Sequence, residues 1–209
     1  MIWIDVSWDY NTLDLDYVGV KAPQFSFHRL KGADPKLGIE MASTWEVWCI
    51  WENIHEAFLT AMISVGVKIP KKNILMSLGN PEDKVEFIES VKLLQKMEYH
   101  VFATTGTYNF FLKHGIKTTM VKKLSEDKKN NVISMLDDKK FDFVINTPDL
   151  DDVRQEECDG YLLRRKAVDK GISLISNIKI AKMFVESLYH LNKWADIEIQ
   201  SYSDLTKRK

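Results

Sequence analysis

The sequence has few of the features that mark secreted, membrane-spanning or nucleic-acid-binding proteins. Its two cysteines, Cys49 and Cys158, are too few for a disulfide framework, and no group of cysteines and histidines has the spacing of a zinc site. The formal net charge of -1 gives no bulk attraction to nucleic acid or to an anionic membrane. No apolar run is long enough to span a bilayer, and residues 1–5 do not begin a signal peptide. We therefore expect a cytoplasmic protein with neither nucleic acid nor membrane as a partner.

What is present is the composition of a globular protein. Hydrophobic residues make up 45% and charged residues 28% of the 209 residues, which argues against disorder, collagen and coiled coil. This length suits one compact domain with appended material, or at most two small domains.

The first 70 residues contain few regular patterns. A short strand is predicted at 14–20, and a second at 21–27, where a proline and alternating aromatics suit an edge strand. A helix is predicted at 53–65, with Asn53 as its N-cap and a glycine directly after it. Because these elements do not make a closed pattern, we interpret this part as the end of a larger domain followed by a bridging helix.

From residue 71 onward, strands and helices alternate. The hydrophobic pattern predicts strands at 73–78, 99–103, 118–121, 141–145 and 173–176. It predicts helices at 81–97, 107–113, 125–138, 161–170 and 178–191. Such alternation predicts an α/β domain over 71–195 with a five-stranded parallel sheet, helices on both faces, and a ligand crevice at the carboxyl ends of the strands. Residues 196–209 are predicted to be a solvated tail.

Polar residues follow the predicted strands where the fold places its crevice. They are Ser77, Asn80, Lys84, Thr104, Thr105, Gly106, Thr107, Lys122, Lys123, Asn146 and Thr147. Small hydroxyl residues and glycine at a strand-to-helix turn let backbone amides face an anion, and lysines add compact positive charges. Taken singly, Thr107 is more simply a helix cap and the lysines solvated, but four loops converging on one edge favour a phosphate-binding site.

Several stretches carry a family resemblance. Residues 104–107, 143–148, 159–169 and 175–177 resemble the methylglyoxal-synthase-like domain, and more narrowly the C-terminal allosteric domain of the carbamoyl-phosphate synthase large chain. Residues 17–27, 32–35 and 40–44 are similar to the end of that chain's second ATP-grasp domain, and 53–58 and 68–72 to the bridge between the two. The resemblance implies a methylglyoxal-synthase-like three-layer fold preceded by an incomplete ATP-grasp tail.

The resemblance also implies a function. The allosteric domain of the family binds a small anionic effector such as UMP or IMP, and the matching phosphate- and ribose-binding positions here are Ser77, Lys84, Thr104, Thr107, Lys123, Asn146 and Thr147. Some family members that respond to N-acetylglutamate carry tryptophan at the position of Lys123, so the lysine favours a phosphorylated effector. The expected partners are the rest of the synthase large chain and its glutamine amidotransferase small chain, in pyrimidine or arginine biosynthesis.

The resemblance places no catalytic machinery in this chain. The ATP- and Mg-binding parts of the family's ligase lie upstream of the matched region, so we expect neither cofactor nor metal to be bound here. A stand-alone methylglyoxal synthase acting on dihydroxyacetone phosphate is the alternative, with Asp152 as its base, but the turn around it lacks the glycines of that enzyme. A non-functional remnant that folds only in part is a third possibility.

Trp3, Trp45, Trp48 and Trp51 depart from the family pattern, because relatives have glycine at these positions. Glycine allows positive φ or close backbone approach, and tryptophan opposes both. We hypothesise that the source reads UGA codons as glycine; mass spectrometry that finds tryptophan at 45, 48 and 51 would exclude this. An aromatic patch that packs against another domain is the alternative. Met1 matches an interior residue of relatives, so we also expect the chain to be truncated.

Overall fold

The computed structural model describes residues 17–36, 45–148 and 158–191. The strands are β1 Val18–Gln24, β2 Trp45–Trp51, β3 Asn73–Leu78, β4 His100–Thr104, β5 Thr119–Val121, β6 Phe143–Thr147 and β7 Ser173–Ile175. The helices are α1 Ile54–Ser64, α2 Pro81–Glu86, α3 Ile88–Lys96, α4 Thr105–Lys113, α5 Val132–Asp137, α6 Asp159–Asp169 and α7 Ile178–His190, and Phe27–Arg29 forms one 3-10 turn. The predicted strand at 14–20 lies partly, and the tail at 196–209 wholly, outside the described residues.

Strands β3 to β7 form one parallel sheet in the order β5-β4-β3-β6-β7, which confirms the predicted five-stranded α/β fold. Successive side chains of a strand point to opposite faces, and both faces of this sheet are buried. Ile74 and Met76 of β3 pack in one apolar cluster with α3 and α7, whereas Leu75 packs in a second cluster with α5 and α6. The sheet is therefore the middle of three layers.

The strand order places a crevice at the end of β3. After β3 the chain adds β4 and β5 on one side of it, and then places β6 and β7 on the other side. In the β3–β6 pairing, Ser77 lies opposite Asn146 and Leu78 opposite Thr147. Connections that leave neighbouring parallel strands in opposite directions open a cleft at their carboxyl ends, so these residues mark its floor.

The N-terminal part differs from the prediction. The expected strand at 21–27 is wrong as a separate element, because β1 is one strand that ends at Gln24 and includes Pro23. A proline is tolerated there since β1 pairs only with β2 among the described residues. We did not predict β2, although its tryptophans, valine and isoleucine favour strand structure.

Two predicted helices are shorter than expected. The helix at 81–97 is split at Phe87, a completely buried residue that ends α2 and precedes α3. The helix at 125–138 begins only at Val132, because the Asp127 carboxylate accepts the amides of Lys129 and Asn130 and holds a turn there. A capping box at Asn131 then starts α5.

The predicted helix over 53–65 is present as α1. The Asn53 side chain accepts the amides of His55 and Glu56, and Gly66 follows the helix with a φ of 92°. Helix α1 packs on α7, where the rings of His55 and His190 stack at 4.3 Å between centroids. The N-terminal elements and the parallel sheet thus share a packed boundary. Over the described residues, every helix is too short or too polar to cross a bilayer.

Three of the unusual tryptophans lie in β2, and Trp3 lies outside the described residues. Among the described non-glycine residues only Glu98 and Lys139 have positive φ, so the backbone at 45, 48 and 51 does not require glycine. Trp48 is 71% exposed and its indole covers Gly19, where an added Cβ would lie 2.4 Å from the indole Nε1. The codon hypothesis stays a prediction for mass spectrometry.

Candidate functional site

A cavity of about 580 Å³ lies at the carboxyl ends of the parallel strands. All seven residues that the family resemblance indicates line it: Ser77, Lys84, Thr104, Thr107, Lys123, Asn146 and Thr147. Asn80, Thr105 and Lys122, from the wider set of polar residues, do not line it. Gly79, Gly106, Ser125, Cys158, Asp159 and Gly160 contribute further polar or small surfaces. The structure therefore brings these seven residues into one place.

Hydroxyl groups form the floor of the cavity and are fixed by short contacts. Thr104 Oγ1 donates to Ser77 Oγ at 3.2 Å. Thr107 Oγ1 accepts the Leu78 amide at 3.0 Å and donates to the Leu78 carbonyl at 3.3 Å. Because Thr107 is almost fully buried, its hydroxyl holds the end of β3 in place. This contact, rather than a helix cap, is its observed structural role.

The N-terminus of α4 faces the cavity. Thr104 is the N-cap of this helix but makes no side-chain cap hydrogen bond. Gly106 lines the cavity, and a Cβ added there would meet no atom of the described residues within 4 Å. The first amides of a helix have no partner within the helix and carry its positive dipole. This end of the cavity is suited to an anion.

Two lysines reach the cavity from separate loops. Lys84 Nζ, on α2, donates to the Gly79 carbonyl at 2.8 Å. Lys123, which follows β5, is half-buried. Within the described parts of the chain its ammonium group makes no hydrogen bond or ion pair. Its neighbour Lys122, by contrast, pairs with Asp127 at 3.3 Å.

Glu126 organises the loop that carries Lys123, and the sequence analysis missed it. Its carboxylate accepts the Thr105 hydroxyl at 2.6 Å and the Lys123 amide at 2.9 Å. Desolvation alone would raise the pKa of Glu126, but these two hydrogen bonds and the nearby lysines outweigh it and lower the pKa below its ordinary value. A charged Glu126 thus joins the start of α4 to the Lys123 loop.

Arg164 is the second residue that sequence reasoning missed. It is 1% exposed, and its Nη1 donates to Asn146 Oδ1 at 2.8 Å, directly behind the cavity wall. Asn146 Nδ2 donates in turn to the Ser77 carbonyl at 2.9 Å. Residues 159–169 carry part of the family resemblance. The sequence signal for Arg164 is an arginine on the apolar face of α6, because such an arginine needs a buried partner.

A carboxylate also lines the cavity. Ser125 Oγ donates to Asp159 Oδ2 across the loops that follow β5 and precede α6. The lining of the cavity therefore combines ammonium groups and helix amides with a carboxylate that can accept hydrogen bonds from hydroxyl groups. Asp152, the base of the alternative lyase activity, lies outside the described residues.

Comparison with known proteins identifies the domain. Residues 86–176 match the family model described as the MGS-like domain. These residues belong to the MGS-like domain family. A methylglyoxal synthase structure from Elizabethkingia anophelis aligns with a TM-score of 0.44 and 17% identity, covering 68% of this chain and 97% of that chain.

The relatives cover most of this chain. Multifunctional protein ura1 of Schizosaccharomyces pombe is 43% identical over 86% of the chain, and multifunctional protein CAD of Squalus acanthias is 44% identical over 82%. The mitochondrial carbamoyl-phosphate synthase [ammonia] of Homo sapiens is 38% identical over 88%. The resemblance to the MGS-like C-terminal region of carbamoyl-phosphate synthase is confirmed. The chain spans only 8% of the first two relatives and 12% of the third.

Proposed function

We propose that this chain is the regulatory portion of a carbamoyl-phosphate synthase large chain, and that its MGS-like domain binds a small phosphorylated effector such as UMP or IMP. The observation that carries the proposal is the single cavity lined by all seven predicted residues, with two lysines among them. A phosphate group at the N-terminus of α4 would meet backbone amides, hydroxyls and ammonium groups together.

The size and the lining of the cavity support a nucleotide over inorganic phosphate. Its volume of about 580 Å³ falls within the usual range for small-molecule sites. Asp159 and Ser125 also line the cavity, and a carboxylate and a hydroxyl can bind the hydroxyls of a ribose. The effector would therefore carry both a phosphate and a hydroxylated group.

The wider role follows from the proposed parent. The partners would be the rest of the synthase large chain and the glutamine amidotransferase small chain, in pyrimidine or arginine biosynthesis. ATP and Mg would bind elsewhere in that parent, leaving this chain without catalysis of its own. A cytoplasmic location stays a prediction, and one relative is named as mitochondrial.

Calorimetric titration with UMP, IMP and dihydroxyacetone phosphate tests the proposal, with methylglyoxal release assayed in the last case. We expect saturable binding of UMP or IMP and no turnover. Methylglyoxal release would instead favour the lyase. Circular dichroism checks that the chain is folded. A folded chain that binds none of the three compounds would contradict the regulatory function.

A further inference from the structure

A buried arginine connects the cavity to a segment that is remote in the sequence. Arg164 donates through Nη1 to Asn146 Oδ1. Through Nε and Nη2 it also donates to both carboxylate oxygens of Asp34, at 2.7 and 2.6 Å. Asp34 lies 130 residues earlier in the chain, beyond β1. A line of direct contacts thus runs from the N-terminal segment to the cavity wall.

These contacts decide which way the Asn146 amide points. The arginine fork offers only donors, so it requires the amide oxygen on its side, and the Ser77 carbonyl requires the amide nitrogen on the other. A flipped amide would set an NH₂ group against the guanidinium and an oxygen against a carbonyl. Asn146 lines the cavity, and with one Nδ2 hydrogen on Ser77 the other is a donor for a ligand oxygen.

Asp34 keeps the arginine in this position. The Arg164 guanidinium is removed from water, and a buried charge requires a close partner of opposite sign. The paired, two-point contact with Asp34 fixes the plane of the guanidinium as well as its charge. Loss of that carboxylate removes the two-point contact that fixes the guanidinium plane, and so weakens the orientation of the Asn146 amide.

We infer that Arg164 is a positioning residue of the effector site and that Asp34 completes the site from the N-terminal segment. The inference rests on the proposed function, since it assigns an anion to the cavity. By linkage, ligand binding and the attachment of Asp34 then stabilise each other. The site is complete only when residues 27–34 are seated on α6.

The test is UMP affinity of the Asp34→Asn chain, measured by calorimetry against the unaltered chain. We expect affinity to fall roughly 3- to 10-fold, which corresponds to one neutral hydrogen bond to the ligand. Long-range electrostatics predicts the opposite sign, because the variant has one negative charge fewer near an anion. Unchanged or tighter binding would overturn the inference.

Tyr161→Phe is the matched control. The Tyr161 hydroxyl donates to the Gly32 carbonyl at 2.8 Å, so it holds the same segment through a bond that does not involve the Arg164 guanidinium. We expect its UMP affinity to stay within about 2-fold of the unaltered chain, as surface changes usually allow. An equal loss in both variants would indicate general loosening of the segment and contradict the relay through Arg164.

A double-mutant cycle tests whether Asp34 acts on the ligand through Asn146. In an Asn146→Ala background, the Asp34→Asn change should have no further effect on affinity, because the residue it positions is absent. Additive losses would overturn the inference. If Asp34→Asn does not fold, hydrogen exchange of the unaltered chain decides: UMP should slow exchange at residues 27–34, and no change there would contradict the linkage.

The two proposals fail in different ways. If the folded, unaltered chain binds neither UMP, IMP nor inorganic phosphate, the proposed function fails and this inference falls with it. If the unaltered chain binds UMP and Asp34→Asn binds it equally well, only the role of Arg164 and Asp34 is wrong.

Discussion

At the scale of single residues, Lys122 and Lys123 show how neighbours in the chain acquire different roles. Lys122 is exposed and its ammonium pairs with Asp127. Lys123 lines the cavity, while its backbone amide is tied to Glu126. Lys122 therefore forms a solvated ion pair of the kind that contributes little free energy. Its neighbour Lys123 supplies a cation to the cavity in which we propose that the phosphate binds.

We expect Lys123→Ala to weaken UMP binding by about 10- to 100-fold, because hydrogen bonds to charged groups contribute roughly 1.5–3 kcal/mol. Lys122→Ala changes the net charge by the same amount and should alter affinity by less than about 3-fold, since solvent and salt screen its charge. Calorimetric dissociation constants at one salt concentration compare the two. Similar losses in both variants would mean that only overall charge matters and that Lys123 does not contact the phosphate.

At the scale of elements, helices α1 and α7 meet through a pair of histidines. Their rings stack at 4.3 Å, and His55 Nδ1 lies 3.2 Å from Ser187 Oγ. Burial is the main reason why the pKa of His55 lies below its ordinary value of 6.5, and the charge of His190 lowers it further, against a smaller opposing effect of Glu186. The packing of these two helices therefore favours neutral His55.

This pair should make stability depend on pH. Because the pKa of His55 is lower in the folded chain, the folded state binds fewer protons than the unfolded state as the pH falls past 6.5. The contribution of neutral His55 to the free energy of unfolding is therefore complete above pH 6.5 and is lost as the pH falls below it. We expect the midpoint temperature of thermal unfolding to fall between pH 7.5 and pH 5.5. In the His190→Gln variant, the slope of this midpoint against pH should be smaller.

His114→Gln is the control for that experiment, because His114 lies at the end of α4 and contacts the Phe110 carbonyl instead. Its slope should match that of the unaltered chain. A slope unaffected by His190→Gln would show that the stacked pair does not govern the pH dependence.

At the scale of the whole molecule, α6 holds the N-terminal segment against the sheet domain. Arg165 Nη1 donates to three backbone carbonyls of that segment, those of Phe27, Leu30 and Ala33, at 2.9 to 3.1 Å. Arg165 is 8% exposed, so these carbonyls and its partner Asp169 replace water around the guanidinium. Adjacent arginines on α6 thus both bind the segment, and Arg164 in addition contacts Asn146 in the cavity wall.

Arg165→Met should release residues 27–33 while leaving the sheet intact. We expect hydrogen exchange in this segment to accelerate by about 10-fold or more, because three carbonyls lose a charged donor together. Amides of β3 and β6 should keep their protection. Lys166→Met is the matched control, since Lys166 pairs with Asp137 at 2.8 Å on the α5 side of the helix. Faster exchange in the sheet of the Arg165 variant would mean that the segment and the sheet unfold as one unit.

Local pattern alone was enough for the architecture of the sheet and for the position of the site. Five apolar runs alternating with helical periodicity have few solutions other than a parallel sheet. Polar residues such as Ser77, Thr104 and Asn146 then had to converge, because parallel strands end at the same edge whatever their side chains are. Eight of the eleven residues that this pattern indicated line one cavity, whereas Asn80, Thr105 and Lys122 do not; the narrower set of seven came from the family resemblance.

Only the tertiary structure decided how the two parts of the chain fit together. The pairing of Asp34 with Arg164 spans 130 residues, and no periodicity relates them. The turn at Asp127 and the break at Phe87 likewise override helical patterns that continue through them. Sequence patterns report which face of an element is apolar. Packing between elements selects the partner of a buried charge and the position at which a helix is interrupted. The period of the hydrophobic residues therefore determined the sheet and the edge at which its strands end. The burial of Arg164 and Arg165 determined that residues 27–34 pack on α6.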